Sequence, residues 1–223
     1  MAFFPSLVHV MSDGLVYNAP SGAYQYSTRH SDSATTRIEV MFDLNDSVAI
    51  NRYRQVNQER AKALLASAKG ERLWTTLTLN KPLPAQELRS LLEKASVKPV
   101  SYTQVGWTKT GERMGSTFFA NDDPNFDLEK AAKAAISADP EAPDHDARMA
   151  GIMVVDGYIT ISDASLGQLL TDNRVYIVDT TAHEVKSLAN DSEATVHLST
   201  PFWNMNWDVE QSNQATFLLR ISR

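Results

Sequence analysis

Five aliphatic residues of this chain recur, without a gap, 78 positions later. Leu88, Leu91, Leu92, Val97 and Val100 return as Leu166, Leu169, Leu170, Val175 and Val178. The flanking positions keep their apolar character, with Leu77 matching Val155 and Leu83 matching Ile161. Self-similarity at a fixed offset constrains architecture before any local pattern does, because copies of one unit must bury equivalent faces. The echo predicts two related units with a concave surface shared between them.

Local patterns extend the echo. Ile38, Val40, Phe42 and Leu44 alternate with polar positions, the period of a half-buried strand. Asn45, Asp46 and Ser47 then offer oxygens to the free N–H groups of a helix start. Ile50, Tyr53, Ala61, Leu64, Leu65 and Ala68 continue at near-helical spacing towards a stop at Gly70. Leu73, Thr75, Leu77 and Leu79 alternate as a strand, Pro84 suits a first helical turn, and Leu88, Leu91, Leu92 and Ala95 form an apolar stripe. A strand from Val97 to Trp107 turns at Lys109-Thr110-Gly111 into a hairpin partner ending at Ala120. A capped helix with an apolar face at Leu128, Ala131, Ala132, Ala135 and Ile136 follows, then a strand at Ile152–Val155, a helix capped by Ser162, and a strand at Val175–Val178.

These elements divide the chain into N-terminal strands and turns over 1–35, a first α/β repeat unit over 36–107, a second over 113–180, and C-terminal strands over 181–223 that pack on both lobes. Alternating strands point to helices on one sheet face only. From Leu73 to Val155 the order is strand–helix–strand–strand–helix–strand, that of a ferredoxin-like sandwich. The expected fold class is therefore α+β, two-layer and ferredoxin-like, built from a duplicated strand–helix–strand–helix–strand unit.

Composition narrows the function classes. With 223 residues, 43% apolar and 22% charged, the chain can bury a sizeable core. A net charge of −6 without a basic cluster argues against nucleic acid as partner. The absence of cysteine excludes disulfides, thiolate metal sites and cysteine nucleophiles. It leans the protein towards an extracytoplasmic bacterial setting with its leader or anchor outside this sequence, a cytoplasmic address being the alternative. Met1-Ala2-Phe3-Phe4-Pro5 is not a signal peptide, and no apolar window approaches the roughly 20 residues of a membrane span, so no membrane insertion is expected.

Reactive motifs are missing. The chain has no G-x-S-x-G, no P-loop, no G-x-G-x-x-G and no H-E-x-x-H. No catalytic residue, cofactor or metal is assigned. Asp144, His145 and Asp146 are the best metal-ligand candidates, but their adjacency fits no known loop rule and a solvated linker explains them. Asn121–Asp127 lacks the central Gly and distal Glu of a calcium loop and reads as a helix cap. His9, His30, His145, His183 and His197 show no ligand spacing. The densest aromatic patch, Phe202, Trp203 and Trp207, is the candidate ligand or partner site; in an extended segment Trp203, Met205 and Trp207 would share one face. The resulting expectation is a non-enzymatic binding, sensing or structural module with an unknown protein or small ligand as partner. The alternatives are a carboxylate-dependent hydrolase using Asp122, Asp123, Asp144 and Asp146, with His145, and a subunit of a larger assembly.

Overall fold

The computed structural model describes residues 7–11, 14–30, 36–107, 113–120, 126–137 and 148–198. Among them the chain is mixed α+β, with two five-stranded sheets and five α-helices. The first sheet is a meander, β1 (Leu7–Met11), β2 (Gly14–Asn18), β3 (Gln25–His30) and β4 (Thr36–Met41), closed by β10 (Thr195–Leu198) running parallel to β4. The second contains β5 (Arg72–Leu83), β6 (Lys98–Trp107), β7 (Arg113–Phe119), β8 (Arg148–Thr160) and β9 (Val175–Asp179). Its order is β7-β6-β8-β5-β9, with every neighbour antiparallel.

Local chemistry sets the helix boundaries. The Asp46 carboxylate accepts from the Val48 N–H at 2.8 Å and starts α1 (Ser47–Ser67), which closes three residues before Gly70. Gly70 itself sits at φ +91°, a left-handed value open to glycine. Pro84 precedes α2 (Ala85–Lys94), which buries Leu88, Leu91 and Leu92. Asp127 accepts from the N–H groups of Glu129 and Lys130 at the start of α3 (Leu128–Ser137). Ser162 caps a π-helical turn (Asp163–Gly167) that leads into α4 (Gln168–Thr171). Helix α5 (Thr181–Ala189) ends on Asn190 in the left-handed conformation, a favoured stop.

Two apolar cores result. One lies under the second sheet, where Leu73, Leu77, Leu79, Val155 and Ile159 meet α2, α3 and α4. Both leucine stripes of the 78-residue echo point into it, with Leu88, Leu91, Leu166 and Leu169 at most 1% exposed. The other gathers Tyr26, Ile38 and Val40 of the first sheet, and Tyr24 just before β3, with Val185 of α5. Helix α1, about 30 Å long at 1.5 Å per residue, serves both. Tyr53 and Val56 enter the second of these cores, while Ala61, Leu64, Leu65 and Ala68 enter the first. β9 is likewise shared, with Val175 and Val178 in the first core and Tyr176 and Ile177 in the second.

Strand order differs from the one expected between Leu73 and Val155. The run from Leu73 to Val155 does not adopt the ferredoxin-like order, because β7 folds back as a hairpin on β6 and stays at the sheet edge. The strand that lies between β5 and β6 is β8, reached only after α3. Both sheets draw strands from the stretch 36–107. β4 pairs in the first sheet, whereas its expected counterpart around 116–120 pairs in the second. The segments joined by the echo, β5–α2–β6 and β8–α4–β9, interleave in one sheet, and Leu77 lies directly opposite Val155.

Candidate functional site

Helices cover one face of the second sheet, and β-strand parity sends the remaining side chains to the other. Trp74 and Thr76 from β5, Thr103 from β6, Gly115 and Thr117 from β7, and Val154 and Asp156 from β8 form the floor of a cleft of about 420 Å³. Val196, His197 and Leu198 of β10 form its wall. The two sheets meet here, although their cores lie elsewhere.

Asp156 organises the floor. Its Oδ1 accepts from the Thr76 hydroxyl at 2.5 Å and its Oδ2 from the Ser101 hydroxyl at 2.6 Å. Hydrogen bonds to a carboxylate are charge-assisted, so the pair fixes its orientation while leaving lone pairs towards the cleft. Backbone irregularity makes this possible. Lys98 and Pro99 pair with Tyr158 and Gly157, but Ser101, not Val100, lies opposite Asp156. The extra residue is a β-bulge, and it exchanges an apolar neighbour of the carboxylate for a hydroxyl donor. Gly157 is required beside it: a Cβ there would stand 2.6 Å from the Lys98 carbonyl oxygen.

The rest of the floor is hydroxyl and aromatic. Thr103 and Thr117 share a hydrogen bond at 2.9 Å across β6 and β7. The Trp74 ring meets Tyr158 edge-on, centroids 4.8 Å apart, and the Arg72 guanidinium lies 3.8 Å over the same tyrosine. Such groups donate, accept and stack without bonds being made or broken.

A second polar cluster is closed. Where α1 crosses β9, the Tyr53 hydroxyl donates to Asp179 Oδ2 at 2.6 Å, and the Thr181 N–H donates to Oδ1 at 2.8 Å. Asn57 Oδ1 accepts from the Thr180 N–H at 2.9 Å, and Thr75 donates its hydroxyl to the Asp179 carbonyl at 3.0 Å. Glu184 takes hydrogen bonds from both Arg60 and Tyr24, tying the turn before β3 to α1 and α5. Burial raises the Asp179 pKa above its usual value against the lowering effect of the Tyr53 and Thr181 bonds. Burial likewise raises that of Tyr53. Asp179 is 3% exposed and Tyr53 is sealed, so this cluster joins the layers and has no access to a ligand.

The sequence-derived candidates Phe202, Trp203, Trp207, Asp144, His145 and Asp146 lie outside the described residues, as do Asp122 and Asp123. His183 and His197 are exposed, and only His197 reaches the cleft. Among the described residues no group of three or more His, Asp or Glu could hold a metal ion, and no helix is long and apolar enough to cross a membrane. Asp156, Thr76, Ser101 and Trp74 were not marked by the sequence patterns. The available signal was a carboxylate within the run Met153-Val154-Val155-Asp156-Gly157-Tyr158-Ile159. Asp-Gly is a strong turn dipeptide, and β8 runs straight through it. No protein-family model, curated protein or solved structure matches the chain.

Proposed function

We propose that the protein is a binding module whose ligand occupies the cleft over Asp156. The observation that carries this reading is a floor carboxylate, the one among the described lining residues, whose two oxygens are already oriented by hydroxyl donors. Acid–base chemistry uses two titratable groups held at different proton affinities around a reacting atom; here Asp156 is held by the hydroxyls of Thr76 and Ser101, and His197, the other titratable group among the described lining residues, stands on the wall. Recognition uses a fixed acceptor, a stacking surface and amphoteric hydroxyls, which is what Asp156, Trp74 and Thr76, Thr103 and Thr117 provide. The same reading takes β5–α2–β6 and β8–α4–β9 as a duplicated pair in a ferredoxin-like arrangement, strand order β6-β8-β5-β9, with the β7 hairpin and α3 inserted between the copies. The offset of 78 supports it. It carries Leu77 onto Val155, which are partners, and carries the pair Thr76–Asp156 onto the pair Val154–Thr78, which are also partners. A two-fold axis through Leu77 and Val155 has this property.

A panel of small polar fragments (sugars, amino acids, dipeptides) titrated against the chain by calorimetry tests the function. Binders are expected to weaken at least about tenfold in Asp156→Asn, the cost of a charged hydrogen bond being about 1.5–3 kcal/mol, and to weaken in Trp74→Ala. Fragment affinities indifferent to both substitutions contradict the assignment.

A further inference from the structure

The cleft is bordered by three consecutive residues of β10, Val196, His197 and Leu198. Successive side chains of a strand point to opposite faces. A strand that lines a cavity with three residues in a row therefore presents its edge, main chain included. β10 is the terminal strand of the first sheet and, among the described residues, pairs with β4 alone. In a parallel pair, alternate residues turn both N–H and C=O to the neighbour, and the residues between them turn theirs outward. A sheet-edge strand beside a concave surface is the geometry in which an extended peptide adds as one more strand. Main-chain bonds then supply affinity and the pockets under alternate side chains supply specificity.

Resting on the cleft reading above, we infer that the ligand is an extended peptide that pairs with the outer edge of β10 and lays a basic side chain on Asp156. The sign follows from the lining. Asp156 is the one carboxylate among the described residues that line the cleft, and the two hydroxyl bonds from Thr76 and Ser101 leave part of its acceptor capacity unused. Threonine hydroxyls donate and accept alike and do not select charge. The carboxylate does, and a lysine or arginine head meeting it would run its aliphatic stem past the Trp74 indole, the favoured contact for such side chains. The remaining alternate side chains would rest over Thr103, Thr117 and Val154.

A displayed library of linear octapeptides, selected on the full chain, tests the inference. Selected sequences should share Lys or Arg at one fixed position. A synthetic peptide from the selection should bind Asp156→Asn at least tenfold more weakly, and replacing its fixed basic residue by norleucine should abolish that difference. Methylating its main-chain nitrogens one at a time should remove binding at every second residue, as a strand edge requires. Selected peptides with no basic position, or binding unaffected by every N-methylation, would overturn the inference. No selected peptide, while small fragments still bind in an Asp156-dependent way, would refute the peptide and leave the cleft assignment standing. Peptides selected only by a full-length Trp203→Ala/Trp207→Ala chain would show that the chain's own C-terminal segment holds the edge, which also refutes an outside peptide.

Discussion

Replacing Asp179 by asparagine should reshape the pH dependence of stability without breaking the fold. The carboxylate is buried at the crossing of α1 and β9, and loss of hydration raises its pKa above the unfolded value near 3.8. The native state therefore keeps a proton at pH values where the unfolded chain has released it. The corresponding stabilisation is fully present below about pH 4 and is lost as the pH climbs through the native value. One proton's difference changes the folding constant by up to about tenfold per pH unit inside that window. Asparagine cannot titrate and nearly matches the shape. Its amide can donate to the Tyr53 oxygen while the Tyr53 hydroxyl turns to Thr181 Oγ1, already 2.9 Å away. Arg60, Glu184 and Tyr24, the other charged and titratable groups around the cluster, are unchanged. Urea denaturation of both proteins from pH 4 to 7 reads the effect. The stability of Asp179→Asn relative to the parent should rise as the pH climbs above about 4. A difference that stays flat from pH 4 to 7, or falls, refutes the assignment of a raised pKa to a buried Asp179.

Three further substitutions probe other parts of the fold. Tyr53→Phe removes the 2.6 Å donor to Asp179 and should cost about 1.5–3 kcal/mol at pH 7 by urea denaturation. The cost should shrink as the pH falls and the carboxyl takes up its proton. Gly157→Ala puts a methyl against the Lys98 carbonyl and should cost about 1–3 kcal/mol, seen as a lower Tm. Leu77→Ala, at a fully buried position opposite Val155, should cost about 2–5 kcal/mol by the same assay.

The residues show which physics is readable in one dimension. Local signals were legible. The Asp46 cap, the Pro84 start, the α2 leucine stripe and the hairpin after Trp107 rest on short-range periodicity and capping, and the structure places each of them. Strand order was not legible, because a strand's own pattern says which face is buried and not which strand lies beside it. The insertion of β8 between β5 and β6 depends on contacts more than forty residues apart in sequence. The cleft was hidden for a related reason. Asp156 went unmarked beside Gly157, because the carbonyl that forbids a side chain at position 157 belongs to a distant strand. Ser101 gains its partner only through a bulge, which shifts register without leaving a motif. The aromatic segment at Phe202–Trp207 and the acidic loop at Asp144–Asp146 attracted attention by composition and lie outside the described residues.

The cleft floor exists only because β8 separates β5 from β6, so that Thr76 and Ser101 reach Asp156 from opposite sides. Cross-strand proton contacts measured by NMR on the isotope-labelled chain test that placement most directly. Contacts of Val155 with both Leu77 and Tyr102 are expected, with none between β5 and β6. Direct contacts between Leu77 and Tyr102, with Val155 paired elsewhere, would dismantle the floor, the carboxylate's setting and the binding role together.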